Sequence, residues 1–318
     1  MSDLGHVLVL AGGLSYEREV SLRSGRRVSE VLRGAGISVE TRDTDASLVP
    51  SVLADPPDAV FVTLHGGAGE DGAIRSVLEL LSVPYVGAGP DACRIAFDKP
   101  TAKTVVRSVG LRTPDSVTLP KETFHDLGAS TVLTRIVERL GLPLFVKPSR
   151  GGSALGASIV RVAEELPAAM VGCFAYGDTA LIERCVEGVE VAVSVVDLGD
   201  GPVALPPVEI VPDEGVYDYA ARYTAGHTEF FAPARLSPEV SAACAEMAVT
   251  AHTALGLRDI SRTDLIVDEN GLPHFLEVNV APGMTETSLF PMAVEASGDD
   301  FGTLCRLLLE QAAARGTA

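Results

Sequence analysis

The chain has 318 residues with 25 Lys and Arg against 43 Asp and Glu, a formal net charge of −18. This acidic balance argues against a protein that binds nucleic acids or anionic lipid surfaces, because such proteins carry excess positive charge on their binding faces. An apolar fraction of 47% is ample for a packed core and excludes a wholly disordered chain. The length suits two domains, or three small ones.

The sequence predicts a cytoplasmic protein. Residues 7–11 form an apolar run that is too short for a signal-peptide core, and the other apolar runs fall well below the roughly 18 residues of a membrane span. The five cysteines are scattered without CxxC spacing, which predicts neither a zinc site nor a disulfide framework. We therefore expect reduced cysteines that are buried in the core.

The first third of the chain alternates between strands and helices. Apolar runs and helically spaced apolar residues predict a strand, a helix, two strands and a helix in that order, at 7–11, 20–32, 38–41, 59–64 and 73–81. Strands separated by helices predict a parallel sheet that is covered on both faces. Residues 1–95 are therefore predicted to form an N-terminal α/β domain, whose loops at the strand ends are the candidates for binding substrate.

Two α+β domains are predicted to follow. Helices and strands continue less regularly, with predicted segments at 91–109, 132–140, 144–147 and 157–160. Residues 96–180 are predicted to form a small central domain with a lid loop. Residues 181–318 are predicted to be rich in strands and then to add a helix, a hairpin and two further helices.

The most informative segment is a predicted hairpin around the Asn-Gly pair at 270–271, a pair that favours a tight two-residue turn. With that turn, Asp264 faces Glu277 across the two strands. Arg262 likewise faces Asn279, and all four side chains lie on one face. The opposite face is predicted to carry four apolar residues, Leu265, Val267, Leu276 and Val278.

This polar face suggests a metal site. Two directly opposed carboxylates repel each other unless a cation or a proton lies between them. Carboxylate and amide oxygens are also the ligands that Mg²⁺ prefers in proteins. The alternative is a solvated polar face on which the arginine pairs with an acid.

A basic strand end and a loop rich in Gly and Ser suggest a phosphate site. Lys147 ends an apolar strand, and the loop at 149–156 could close over a ligand as a lid. Its spacing matches neither GxxxxGK[ST] nor GxGxxG. Lys99 lies on the preceding helix, while Glu183 and Glu190 could accept hydrogen bonds from an adenine amino group and ribose hydroxyls. The alternative interpretation of each of these residues, taken alone, is an ordinary surface residue.

Two glycine-rich loops follow strands of the N-terminal domain, where α/β sheets bind ligands. Glu17 lies in the first loop and could hold an ammonium group, or could only complement the dipole of the following helix. His65 begins the second loop and could donate to an anion, or could only close the loop. The glycines of the second loop allow a ligand to approach the backbone closely.

Taken together, these residues resemble the D-alanine–D-alanine ligases, members of the ATP-grasp superfamily. The matching segments keep the family's order over nearly the whole chain: GGLSYEREVSL (12–22), HGGAGEDG (65–72), DK (98–99), VKPSR (146–150), YDYAARY (217–223) and EVNVAPGMT (277–285). The resemblance implies an ATP-grasp fold with a pre-ATP-grasp N-terminal domain and two ATP-grasp subdomains. It also implies the ATP-dependent joining of two D-alanines for peptidoglycan synthesis, and commonly a homodimer.

The resemblance further implies a role for each matching residue. The implied catalytic residues are Glu17, Ser153, Tyr223, Arg262 and Gly283. The implied amino-acid-binding residues are His65, Arg222, Ser288 and Leu289. The implied ATP-binding residues are Lys99, Lys147, Glu183, Val186 and Glu190. Two Mg²⁺ ions, which Mn²⁺ can replace, are implied at Asp264, Glu277 and Asn279.

Departures from the family's pattern bear on the second amino acid. Arg222 stands where the family usually has Lys, and Glu286 adds a charge near the expected second-substrate site. One alternative is therefore a ligase of the same mechanism that joins another amino-acid pair in specialised metabolism. A nucleotide-binding regulator without catalysis would be expected to lack the metal ligands or phosphate lysines, which are present. A dinucleotide-dependent dehydrogenase would need GxGxxG after the first strand, which is absent.

Overall fold

A computed structural model describes residues 4–213 and 227–316. The predicted site residues Arg222 and Tyr223 lie outside the described residues. The five cysteines are free thiols, and all but Cys185 are buried, largely as predicted.

The N-terminal unit is the predicted parallel sheet, in the strand order β2-β1-β3-β4. Its elements are β1 (Val7–Leu10), α1 (Arg18–Gly34), β2 (Val39–Arg42), α2 (Leu48–Ala54), β3 (Ala59–Val62), α3 (Ala73–Leu80) and β4 (Tyr85–Val86). Strands β1 and β3 are apolar and fully buried because helices cover both faces of the sheet. The loops that follow β1 and β3 therefore emerge together at one edge of the sheet.

The predicted helix over 91–109 is wrong, because two helices occupy this stretch. They are α4 (Pro90–Phe97) and α5 (Lys99–Ser108). Asp98 lies between them in an extended conformation, and its carboxylate accepts a hydrogen bond of 3.1 Å from the Thr101 amide as the N-cap of α5. Pro100 in the first turn of α5 also disfavours continuation of the preceding helix. This break makes Lys99 the first residue of α5.

The central unit is a four-stranded antiparallel sheet in the order β5-β8-β6-β7. Its elements are β5 (Ser116–Pro120), α6 (Lys121–Leu127), α7 (Ala129–Leu140), β6 (Leu144–Pro148), β7 (Ser158–Val160), α8 (Leu166–Phe174) and β8 (Thr179–Arg184). The predicted border between residues 180 and 181 falls inside β8, which pairs on both sides within this sheet. The loop 149–157 joins β6 to β7, and we call it the lid segment.

The C-terminal unit is built on an antiparallel sheet in the order β12-β11-β9-β13-β14, with β10 also paired to β9. Its elements are β9 (Val189–Asp197), β10 (Pro202–Ala204), β11 (Val208–Pro212), β12 (Thr228–Phe231), α9 (Pro238–Ala254), β13 (Ile260–Val267), β14 (Pro273–Asn279), α10 (Leu289–Ser297) and α11 (Phe301–Arg315). The hairpin and the two helices that follow it were predicted from the sequence.

Packing between the units determines where the candidate site lies. One face of the C-terminal sheet packs against α4, α5 and α9. Helix α5 therefore packs on the C-terminal sheet, although its residues fall within the predicted central domain. The other face shares a continuous apolar core with the N-terminal sheet through α10 and α11. Leu308 and Leu309 of α11 belong to the same core as Val9 and Phe61 of the parallel sheet. The N-terminal and C-terminal units are thus joined by a common core.

The β13–β14 hairpin pairs its polar residues as predicted but turns differently. Arg262 lies opposite Asn279, and Asp264 opposite Glu277. Beyond Asp264 the register shifts by one residue at a β-bulge, and the Asp268 amide donates to the Leu272 carbonyl across a loop longer than two residues. The predicted two-residue turn is therefore wrong.

Because of the bulge, the prediction for one core residue is wrong. Leu276 does not lie on the buried apolar face but lines a cleft beside Asp264 and Glu277. Phe275 takes the core position and is fully buried. Two residues of one strand opposite one of its partner reverse the alternation locally, which is why the simple period-two pattern fails here.

Candidate active site

Two adjoining clefts contain every predicted site residue that the structure describes. The larger cleft, of about 600 Å³, lies between the central and C-terminal sheets. The smaller cleft, of about 410 Å³, lies between the N-terminal and C-terminal units. They share four wall residues, Lys99, Gly151, Gly152 and Glu277. A ligand group at this shared wall would face both clefts.

A buried triad of charges lies at the larger cleft, with two of its members, Lys147 and Glu183, in the cleft lining. Lys147, at the end of β6, lies 2.8 Å from one carboxylate oxygen of Glu183 on β8. Lys103 of α5 donates to the other oxygen and, over 2.9 Å, to the Pro114 carbonyl. Two lysines against one carboxylate leave a net positive charge beside the cleft, which suits an anionic ligand.

The two lysines of the triad hold Glu183 ionised. Burial acts to raise the pKa of Glu183, but Lys147 and Lys103 outweigh it and hold that pKa below its usual range. Burial lowers the pKa of Lys103 to about 8 despite the opposing effect of Glu183. Lys103 was not among the predicted site residues. Its only sequence signal is its position one helical turn after Lys99, on the same face of α5.

The rest of the larger cleft is an apolar slot with a polar rim. Phe145, Ile159 and Leu276 form apolar walls, while Val186 lies in the connection between β8 and β9 and Glu190 lies near the start of β9. Cys185 also lines this cleft, so it departs from the predicted burial of the cysteines. A flat apolar group with polar edges would fit such a slot.

The opposed carboxylates of the hairpin lie where the clefts meet. The Arg262 guanidinium donates to both oxygens of Asp264, at 2.7 and 2.8 Å. Lys99 lies 3.3 Å from a Glu277 oxygen. Asn279 accepts a hydrogen bond of 2.9 Å from the Ala281 amide, which orients its side-chain oxygen.

This donor set fits a magnesium ion that is held partly by its substrate. Mg²⁺ is typically bound by one or two carboxylates, with waters and substrate phosphates completing its shell. Asp264, Glu277 and Asn279 supply two carboxylates and one amide oxygen. Among the residues described, no group of three or more His, Cys, Asp or Glu side chains could enclose an ion without further ligands.

Glu17 lies in the smaller cleft in a cradle of glycine backbone. The Ser153 hydroxyl of the lid segment donates to the Glu17 carboxylate. A Cβ atom on Gly66 would lie 2.3 Å from a Glu17 oxygen, and one on Gly152 would lie 2.8 Å from it. Side chains at these two positions would therefore displace the carboxylate. The loop after β1, the loop after β3 and the lid segment all converge on this group.

His65 is buried and neutral, with both ring nitrogens bound to protein. Its Nδ1 lies 3.0 Å from the Ala281 carbonyl, which can only accept, so Nδ1 carries the proton. Its Nε2 lies 3.0 Å from the Ser24 hydroxyl, whose oxygen also accepts from the Met284 amide. Burial lowers the pKa of His65. The imidazole lines the smaller cleft and ties α1 to the loop after β14.

Glu70 is a buried acid in the smaller cleft that was not among the predicted site residues. It accepts a hydrogen bond of 2.9 Å from the Gly66 amide. Burial raises the pKa of Glu70 to about 7, and the nearby charge of Glu17 adds to this shift. Its signal in the sequence is an acid within the glycine-rich loop HGGAGEDG.

The start of α10 forms the far wall of the smaller cleft. Ser288 precedes this helix and Leu289 begins it, so the first backbone amides of α10 are available to an anion. The Ser288 hydroxyl accepts from the Thr285 amide over 3.1 Å. Gly283 is packed against it, since a Cβ atom there would lie 2.7 Å from the Ser288 oxygen.

Comparisons with known proteins decide the family. Residues 105–310 match the family model described as "D-ala D-ala ligase C-terminus", and residues 38–88 match "D-ala D-ala ligase N-terminus". The D-alanine–D-alanine ligase of Pelotomaculum thermopropionicum is 40% identical over 304 residues, covering 96% of this chain and 95% of that protein. The chain belongs to the D-alanine–D-alanine ligase family.

Solved structures agree with this assignment to the D-alanine–D-alanine ligases. The VanG D-Ala:D-Ser ligase of Enterococcus faecalis superimposes with a TM-score of 0.83 at 28% identity, covering 98% of this chain and 100% of its own. The D-alanine–D-alanine ligase of Bacillus anthracis, solved in complex with ATP, gives a TM-score of 0.79 at 28% identity, covering 97% and 96%.

The predicted ATP-grasp fold and ligase class are thus confirmed. A further relative, the ligase of Nitrosomonas europaea, is 40% identical over 97% of both chains. The interpretations as a regulator without catalysis and as a dehydrogenase gain no support from these relatives. Across 4–213 and 227–316, each helix is too short or too polar to traverse a lipid bilayer.

Proposed function

We propose that this protein joins two D-alanines to D-Ala-D-Ala in the cytoplasm, with conversion of ATP to ADP and phosphate, as a step of peptidoglycan synthesis. The observation that carries the proposal is the meeting of the two clefts at Lys99 and Glu277. A nucleotide in the larger cleft would place its terminal phosphate beside an amino acid in the smaller one. Phosphoryl transfer to a carboxylate needs this proximity.

The larger cleft suits ATP. Lys99 and Lys147 carry the positive charges that would contact the phosphates, and the apolar slot would take the adenine ring. Glu190 and the backbone near Val186 would contact the ribose and the base. Glu183 shapes this site through Lys147, because both of its oxygens are bound by lysines in this structure.

Two Mg²⁺ ions, which Mn²⁺ could replace, complete the proposed site. Asp264, Glu277 and Asn279 would hold them together with phosphate oxygens. When bound, the ions neutralise charge on the transferring phosphoryl group. Isothermal titration with a non-hydrolysable ATP analogue tests this, with strong binding expected in Mg²⁺ and weak binding in EDTA. Equal affinity in both would contradict the assignment.

The smaller cleft would bind the two amino acids in line. Glu17 would hold the first ammonium group, supported by Ser153 and, as the family resemblance implies, by Tyr223. His65 would form part of the wall around this amino acid. A carboxylate oxygen of this first amino acid would attack the γ-phosphorus of ATP. The bond between the γ-phosphorus and ADP would break, and an acyl phosphate would form.

The second amino acid would approach from the α10 side. Ser288 and the Leu289 amide would bind its carboxylate, with Arg222 as a further cation. Its amine would attack the acyl carbon and lose a proton, and phosphate would leave. Arg262 and the Gly283 amide would stabilise the oxyanion of the tetrahedral intermediate, a type of contact that often accounts for a large share of the rate enhancement.

Phosphate release with defined amino acids tests the proposal. The protein with ATP and Mg²⁺ should release phosphate with D-alanine alone, and chromatography should detect D-Ala-D-Ala. D-Alanine with D-serine and L-alanine alone are the comparison reactions. Release with another pair but not with D-alanine alone would contradict the proposal and favour the alternative pair.

We also propose a homodimer, as the family resemblance implies. Sedimentation velocity at micromolar protein concentration should give the mass of two chains. A single species of one chain's mass would contradict this part of the proposal.

A further inference from the structure

The lid segment 149–157 is held closed by contacts to two other parts of the chain. At its start, Arg150 donates to Asp98 over 2.9 Å, and Lys99 donates to the Gly151 carbonyl over 2.7 Å. At its middle, Ser153 donates to Glu17. The first two contacts tie the lid segment to the break between α4 and α5, and the third ties it to the loop after β1.

A fourth contact joins the far end of the lid segment to that same loop. Tyr16 directly precedes Glu17, and its ring meets the ring of Tyr176 edge to face, with centroids 6.1 Å apart and planes at 69°. Tyr176 in turn packs on Gly156, where a Cβ atom would lie 2.8 Å from the tyrosine ring. The two rings thus link the lid segment to the backbone that carries Glu17.

The exposure of Tyr16 shows that the ring contact is not part of the packed core. Tyr16 is 78% exposed, so only a small part of its surface is buried against protein. Burial therefore gives it little stabilising value, whereas its edge-to-face contact is specific in geometry. Leu14 in the same loop is fully exposed and provides a natural control.

We propose that Tyr16 and Tyr176 are positioning residues that couple closure of the lid segment to the placement of Glu17; this rests on the proposed function of the smaller cleft. The ring pair holds the central unit against the N-terminal unit on the outer side of Glu17. Ser153 then remains within hydrogen-bonding distance of Glu17 when the first amino acid enters. Losing the pair loosens the amino-acid site and leaves the triad of the larger cleft in place.

Steady-state kinetics test the coupling. Tyr16→Ala and Tyr176→Ala should each raise the KM for D-alanine by about two- to tenfold, the size expected for one edge-to-face pair. The KM for ATP and the kcat should change less than twofold. The double variant should match Tyr176→Ala, because Tyr16→Ala removes only the ring contact that Tyr176→Ala already abolishes. Tyr16→Phe and Tyr176→Phe should restore wild-type values, since the ring edge is retained.

Leu14→Ala and Val171→Ala are the matched controls, as both side chains are largely exposed and lie near one ring of the pair in the sequence. Both should leave the KM for D-alanine unchanged. Equal effects of Leu14→Ala and Tyr16→Ala would overturn the proposal. So would alanine effects at the two tyrosines that multiply in the double variant.

Hydrogen exchange separates this proposal from the proposed function. In the ligand-free protein, amides of the lid segment should exchange about two- to tenfold faster in Tyr16→Ala than in wild type. This readout requires no D-alanine activity, so it stands if the substrate is a different amino acid. Unchanged exchange in both alanine variants would overturn the proposal even if the enzyme is active.

Discussion

The two clefts differ in which elements supply their lining. The larger cleft takes most of its charged lining residues from β6, β8, β9, β11, β13 and β14, strands whose ladders fix them. The buried triad of Lys103, Lys147 and Glu183 lies at this cleft. In the smaller cleft, loops of all three units contribute more of the lining than strands or helices do, and these loops meet only when the chain is fully folded and the lid segment is closed. Rigid strands suit a constant ligand such as a nucleotide, whereas loops can vary with the amino acid.

The difference between the two clefts predicts that substitutions in them impair different properties of the protein. A change in the larger cleft should affect nucleotide binding, stability or the chemical step. A change in the smaller cleft should affect amino-acid binding while nucleotide binding persists. A residue of the shared wall should affect both, and its loss should be the most damaging.

The largest effect is expected at Glu277 of the shared wall. Glu277→Gln should lower kcat by on the order of a hundredfold or more, because it removes a charge that would hold the metal ions. Phosphate release in the presence of D-alanine measures this. Glu269→Gln, an exposed change in the loop of the same hairpin, should leave kcat unaltered. Near-normal activity of Glu277→Gln would refute the metal assignment.

A smaller but still large effect is expected for the triad of the larger cleft. Lys103→Met should lower the free energy of unfolding by about 3–5 kcal/mol, as when one partner of a buried ion pair is removed. It should also weaken ATP binding, because Lys147 alone would then neutralise Glu183. Urea denaturation and titration with an ATP analogue measure the two effects.

Lys121→Met is the matched control for the triad. Lys121 pairs with Asp178 in the same unit, but both side chains are at least half exposed. Its loss should lower the free energy of unfolding much less than Lys103→Met does, because an exposed ion pair contributes little to stability. Equal losses for the two lysine variants would mean that the buried triad does not stabilise the larger cleft.

A pH effect of a few fold is expected in the smaller cleft. Burial raises the pKa of Glu70 to about 7, so this carboxyl is mostly neutral at pH 6 and mostly ionised at pH 8. Ionisation adds a negative charge near Glu17 and should strengthen binding of the substrate ammonium. The KM for D-alanine should therefore fall by about three- to tenfold between pH 6 and pH 8.

Glu70→Gln should flatten this pH dependence, since the amide does not titrate. Glu19→Gln, an exposed change on α1, should leave the curve as in wild type. A steep curve that persists in Glu70→Gln would assign the dependence to another group.

The smallest effect is expected for Arg222→Lys. This change restores the residue that is usual in the family and keeps the positive charge, so activity with D-alanine should stay within about tenfold of wild type. Measured rates with D-alanine alone and with D-alanine plus D-serine would show any change of acceptor. An inactive variant would mean that the forked guanidinium geometry is required.

Local sequence patterns were enough for most of the fold and much of the candidate site. The strand and helix periods predicted the parallel sheet, and the pairing of Asp264 with Glu277 followed from the two-residue turn assumed at 270–271. That pairing was correct although the predicted turn was wrong, because the bulge at Leu276 offsets the longer loop. A bulge depends on how the hairpin meets its neighbours, which the local pattern does not contain.

The missed features depend on contacts between distant residues. Lys103 looks like an ordinary helical lysine until β8 brings Glu183 against it. Glu70 looks like an exposed loop acid until the loop folds over it beside Glu17. The break at Asp98 does have a local signal, since an Asp followed two residues later by Pro is typical of a helix start.

The shared core of the N-terminal sheet has a consequence for synthesis on the ribosome. Val9 and Phe61 belong to strands near the beginning of the chain, while Leu308 and Leu309 of α11 pack in the same core. At about 5–20 residues per second, these strands are made roughly 10 to 60 seconds before the helix that covers them. During that interval this apolar face of the nascent sheet is covered only in part, by Val28 and Leu32 of α1. The rest of the face is a natural surface for chaperones to shield.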